Sequence, residues 1–184
     1  DNGEYFREVS SGQDQYKVTD ISGKMNEFNI SYAGSYKEKL YLGASLGILG
    51  VEYAKSSYYV EDNFDDNNTT VQSFNYAENQ YTSGSGINFK VGAILKATNS
   101  LRLGLAWHSP SLLNLKDEYE TSLNVFHSLV DSAYSYSYLS PYGIYEYTVK
   151  TPMKVVASAA LVLNKSIVLS ADIEVVDYTE MELK

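Results

Sequence analysis

Side chains able to do chemistry are few in this chain, and they recur at alternating positions. Lys90, Arg102, Lys154, Asp172 and Glu174 fall on one side of a two-residue alternation, together with Asn88 and His108. A ladder of opposite charges is the usual way to keep a wall hydrated and ordered, and the same groups could meet a ligand. His108 could contact a carboxylate or a haem. His108 and His127 stand nineteen residues apart in a chain with no cysteine, which makes a poor metal site. The acidic tip from Glu61 to Asn68 has the composition of a calcium loop but lacks its Asp-x-Asp-x-Asp-Gly order. No Ser-His-Asp set, paired-carboxylate cleft or glycine-rich phosphate loop can be placed, so neither an enzyme nor a cofactor is expected. The candidates for lining a lumen or touching a ligand are therefore Asn88, Lys90, Arg102, His108, Lys154, Asp172 and Glu174.

The elements that position them are strands. From Ile87 to Pro110 the sequence reads INFKVGAILKATNSLRLGLAWHSP. Ile87, Phe89, Val91, Ala93 and Leu95 alternate with Asn88, Lys90, Gly92 and Ile94. After a polar break, Leu101, Leu103, Leu105 and Trp107 alternate with Arg102, Gly104, Ala106 and His108. This is a hairpin with one greasy face and one face of small and charged residues. Each arm is nine residues long, and a tilted strand needs roughly 9–11 to cross a bilayer. In a soluble sandwich the greasy face would meet a core. In an outer-membrane barrel it would meet lipid, and the small face would line the lumen.

Two further hairpins share the pattern. Phe28, Ile30, Tyr32 and Tyr36 oppose Asn29, Ser31, Ala33 and Ser35, and after Lys37-Glu38-Lys39 the run Leu40, Leu42, Ala44, Leu46, Ile48 opposes Tyr41, Gly43, Ser45, Gly47. Met153 to Leu163 and Ile167 to Val176 form the third, with Lys154, Asp172 and Glu174 on the less greasy side. The hairpins span 28–53, 87–109 and 153–176. Residues 1–24 read as a loop with one short ribbon, and 113–125 as a further ladder. Residues 55–83 and 126–147 read as long tyrosine-rich excursions, and His127 falls in the second. Short turns alternating with long excursions suit a barrel, and Tyr58, Tyr59, Tyr134, Tyr136, Tyr138, Tyr142, Tyr145 and Tyr147 suit an interfacial girdle or an external landing surface.

Composition narrows the partners. With 23 acidic against 14 basic residues the net charge is −9, which argues against nucleic acid. Tyrosine is abundant, 18 of 184 residues, as expected where a ring is half in an apolar layer and its hydroxyl is wet. No run approaches the roughly 18 apolar residues of a transmembrane helix, and no signal peptide is evident. Both ends look cut, so 1–184 is expected to be a single partial domain, an internal piece of a barrel. Alone it would self-associate through open strand edges.

The phrase Ser85-Gly86-Ile87-Asn88-Phe89-Lys90-Val91-Gly92-Ala93, with Leu101-Arg102-Leu103-Gly104-Leu105-Ala106-Trp107-His108-Ser109-Pro110 after it, resembles the FadL type of outer-membrane transporter. Leu40-Tyr41-Leu42-Gly43-Ala44-Ser45, Thr151-Pro152, Leu169-Ser170-Ala171-Asp172 and Asp177-Tyr178 follow that family's order. The resemblance covers most of 27–180 and implies the middle portion of a barrel of about fourteen strands, its N-terminal hatch lying outside this segment. It also implies passive uptake of fatty acids and hydrocarbons, release sideways through a kinked strand, and a location in the bacterial outer membrane. Some relatives are labelled haemin receptors. The competing reading is a soluble or surface-exposed β-domain for adhesion or binding, in which the greasy faces pack on each other.

Overall fold

The computed structural model describes residues 13–62, 71–129, 132–163 and 166–184. These residues form ten strands: β1 (Asp14–Tyr36), β2 (Leu40–Asp62), β3 (Val71–Lys96), β4 (Leu101–His108), β5 (Leu112–Leu129), β6 (Ser132–Leu139), β7 (Gly143–Lys150), β8 (Met153–Leu163), β9 (Ile167–Asp177) and β10 (Glu182–Leu183). A single 3-10 turn, Tyr178–Glu180, separates the last two. All ten strands belong to one sheet, and the hairpins are antiparallel meanders. No helix among the described residues is long and apolar enough to cross a membrane.

The three expected hairpins are present, joined at 37–39, 97–100 and 164–166. The strands are longer than the alternation suggested. β3 has 26 residues, and the excursions 55–83 and 126–147 are strands through most of their described length, β2 running to Asp62 and β3 starting at Val71. Residues 14–24, expected to be mostly loop, belong to β1, and His127 sits within β5 rather than in a loop. In the acidic tip, Glu61 and Asp62 end β2, and 63–68 lie outside the described residues. Serine, asparagine and tyrosine had disguised these stretches because they lack an apolar face, yet a strand exposed to water on both faces needs none.

The chain divides into two compact units. The first holds the described residues of Asp1–Gly23, Tyr53–Thr82 and Asp117–Tyr145; the second holds Lys24–Glu52, Ser83–Lys116 and Glu146–Lys184. The first is bound laterally by polar side chains. Thr19 and Ser57 hydroxyls meet at 3.2 Å, and Thr82 donates to Asp117 at 2.6 Å. A row crosses three strands where Ser137 donates to Asn124 at 2.5 Å and Asn124 to Asn75 at 2.8 Å. His127 stacks on Tyr134 with ring centroids 5.1 Å apart.

In the second unit the alternation holds as the sequence implied. Register pairs Val91 with Trp107, Ala93 with Leu105 and Leu95 with Leu103 on one face, and Lys90 with His108, Gly92 with Ala106 and Ile94 with Gly104 on the other. The apolar face is left uncovered. Leu105 is 58% exposed and Ile173 69%, and among the described residues only Leu49 and Leu113 are buried apolar side chains. At roughly 2 kcal/mol for burying each such side chain, this face forfeits on the order of 10 kcal/mol in water, comparable to the whole stability of a domain.

Each of the chain's three prolines sits where a strand breaks, and each follows a hydroxyl residue. Ser109 N–H donates to Phe89 O at 2.8 Å, but the return bond from Phe89 N–H, at 2.9 Å, goes to Ser109 Oγ instead of its carbonyl. Ser140 repeats this against Thr121, at 2.8 and 2.9 Å, and Thr151 repeats it against Ser111, at 3.0 and 2.8 Å. Proline fixes φ and turns the chain away from the ladder, and the preceding hydroxyl takes over as acceptor for the neighbour's N–H. Replacing Ser109 by Ala strands that N–H and should cost about 1–3 kcal/mol in urea unfolding, whereas Ser166→Ala, whose backbone N–H closes a turn without its hydroxyl, should cost under about 0.5 kcal/mol. Equal losses would contradict the substitution of hydroxyl for carbonyl.

Candidate functional site

The small-residue face of the second unit holds a cavity of about 480 Å³, within the range of ligand sites. Its floor is made by residues without bulk: Ser31 and Ala33 from β1, Gly43 and Ser45 from β2, Gly92 from β3, Gly104 and Ala106 from β4 and Ser158 from β8. Alternation puts these on one side because every second residue of a strand faces the same way. Ser31 donates to Ser45 at 2.9 Å, which satisfies two of the hydroxyls internally. Tyr41 and Ile94 also line the cavity, and Lys90 and His108 line it together with a smaller adjoining cavity of about 330 Å³.

A polar belt crosses the sheet around Lys90 and His108. Lys90 Nζ pairs with Glu27 Oε1 at 2.6 Å. His108 is the register partner of Lys90 on one side and of Lys154 on the other. Lys154 Nζ pairs with Glu174 Oε2 at 3.1 Å. In order across the strands the charges run acid, base, neutral ring, base, acid, so each cation is balanced by a carboxylate. Half-exposed pairs of this kind contribute roughly 0–1 kcal/mol each; their effect is to leave the wall polar yet neutral.

The belt depends on Gly47. A Cβ there would collide with Glu27 Oε1 and Asn88 Oδ1, which lie directly over it. Glycine lets a β1 carboxylate reach across β2 to a β3 lysine. Asn88 Nδ2 donates to Ser111 Oγ at 3.2 Å, while its Oδ1 is buried without a hydrogen bond. Gly104 serves in the same way, with Ser158 Oγ lying against it.

Of the seven residues singled out from sequence, Asn88, Lys90, His108, Lys154 and Glu174 come together in the belt. Asp172 is the register partner of Ser158, toward the short-turn end from Glu174. Arg102 is apart: six residues from His108 along β4, about 20 Å at 3.3 Å per residue, it pairs in register with Lys96 and Ala160. His108 thus has two lysines as neighbours and not Arg102. Sequence reasoning missed Glu27 and Ser111. Glu27 was within reach, since it continues the Asn29, Ser31, Ala33 alternation by one step. Ser111 was not, because Pro110 interrupts the alternation that would have placed it.

No protein-family model matches the chain, and no curated protein matches it.

Two glycines of one strand separate packing from propensity. Gly47→Ala should destabilise by about 1–3 kcal/mol through the displaced Glu27 and Asn88. Gly50→Ala, where a Cβ meets nothing within 4 Å, should be neutral or gain up to about 1 kcal/mol. Equal effects in urea unfolding would contradict the role given to Gly47.

Proposed function

We propose that this chain forms part of the wall of an outer-membrane β-barrel that admits hydrophobic small molecules passively, in the manner of the FadL-type transporters it resembles. The observation that carries the reading is the division of the second unit into an uncovered aliphatic face and an opposite face with a small-residue cavity and a charge-balanced belt. Acyl chains are the cover that removes the apolar face from water, and strands can span a bilayer only where their backbone groups are paired within the sheet. Replacement of the lost carbonyl acceptor at each proline break supports the same reading.

The path follows the cavity. Glycine, alanine and serine leave room for an apolar molecule, and neutral pairing of Lys90 and Lys154 leaves no free charge beside it to hold or repel a guest. No covalent step is involved. The breaks at Ser109-Pro110 and Thr151-Pro152 are where the lateral release implied by the resemblance would occur, since neighbouring strands are least continuous there. In plain buffer the uncovered face should drive self-association. An adhesive β-domain would bury that face against a second layer, and the two buried apolar side chains, Leu49 and Leu113, argue against one.

The test is uptake. Cells carrying the intact protein should place it in the outer-membrane fraction and accumulate an uncharged fluorescent hydrocarbon faster than cells without it. Gly92→Phe, which fills the cavity from its floor, should cut that rate at least about tenfold at unchanged protein level, a loss of about 1.4 kcal/mol or more. Unchanged uptake by Gly92→Phe, or protein recovered only in soluble fractions, would contradict the proposal.

A further inference from the structure

The cations of the second unit fall into two sets. In the belt, Lys90 and Lys154 each have a carboxylate. Toward the short turns none does. Lys96 and Arg102 stand directly opposite each other on β3 and β4, and Lys96 N–H donates to the Lys39 carbonyl at 2.7 Å on the other side. By the alternation of their strands all three lie on the small-residue face, in one row across neighbouring strands. Lys37 lies in the adjoining turn, whose one carboxylate, Glu38, pairs with none of them. Among the described residues no carboxylate reaches ion-pair distance of Lys39, Lys96 or Arg102.

Like charges directly opposite each other weaken a sheet, and a third on the next strand, about 4.8 Å further, adds to the repulsion. The chain does not lack acids, having 23 against 14 basic residues, so an uncompensated row stands out against the composition. Its position is informative too. Lys39 immediately precedes β2, Lys96 ends β3 and Arg102 is the second residue of β4. Leu40, Leu95, Leu101 and Leu103 of the opposite face end at the same level, with Tyr36 and Tyr41 beside them. Long basic side chains at strand ends extend past the sheet while their stems stay against apolar surface, which is the level of headgroups when acyl chains cover the leucines.

We infer that Lys39, Lys96 and Arg102 form an anion site, and that its occupant is the phosphate of an anionic membrane lipid. The inference rests on the membrane reading above. A cation near an anionic lipid surface gains roughly 1 kcal/mol, about fivefold in an equilibrium constant; three give on the order of a hundredfold.

The test measures urea unfolding of the intact protein in vesicles of phosphatidylcholine alone and with a third of phosphatidylglycerol. The anionic lipid should raise the folding constant about a hundredfold, and molar salt should abolish the gain. The double variant Lys96→Gln with Arg102→Gln should lose about 25-fold of that gain, yet in pure phosphatidylcholine it should be at least as stable as the parent, since a repulsion has been removed. An equal gain in parent and variant overturns the inference, as does millimolar inorganic phosphate giving the same gain in phosphatidylcholine, which would assign the row to a free anion. Failure to enter vesicles of either composition would instead overturn the membrane reading beneath it.

Discussion

Apolar surface with nothing of its own chain to cover it governs this molecule. Phe89, Val91, Leu103, Leu105, Trp107, Ile173 and Val175 all stand a third or more exposed. A protein stable by the usual margin of about 5–15 kcal/mol cannot leave such a face wet. Its covering is therefore part of the structure, and two other features follow from what the cover is. Against hydrocarbon, a backbone N–H without a partner costs several kcal/mol, so each proline break must return the bond it removes. Ser109, Ser140 and Thr151 do so with hydroxyls placed one residue before the ring.

The opposite face answers to a different demand. It has to remain open, so its residues are small, and it has to remain wettable without gripping ions, so its charges occur in balanced pairs. Glu27 reaches Lys90 only because β2 offers no side chain at Gly47. The same principle operates at Gly143, where the Tyr119 ring lies over the bare Cα. A glycine in a strand here marks a place where a neighbour's side chain is needed more than its own.

Period-two patterning made the second unit legible from sequence. The three hairpins, their short turns and the sidedness of Asn88, Lys90, His108, Lys154 and Glu174 follow from which residues are large and which are small, since one slip of register would put every leucine on the wrong face. The first unit was not legible because Tyr-Ser-Tyr-Ser and Asn-rich stretches are polar on both faces; its strands are held by pairings such as Asn75 with Asn124 and Thr82 with Asp117, which only three-dimensional register reveals. Arg102 was misread for the same reason. Sharing a face with His108 says nothing about distance along it, and its neighbours are set by pairing with Lys96 and Ala160. Breaks at Pro141 and Pro152 were visible as prolines, but the hydroxyl that makes each tolerable is a feature of hydrogen-bond geometry.

The central claim is that acyl chains cover the face bearing Trp107, the one tryptophan of the chain. Its fluorescence reports directly on that contact. With the intact protein in vesicles whose acyl chains carry bromine, the account predicts strong quenching of Trp107 and little effect of aqueous iodide. Quenching by iodide with none by brominated chains would place Trp107 against water or protein and contradict the account.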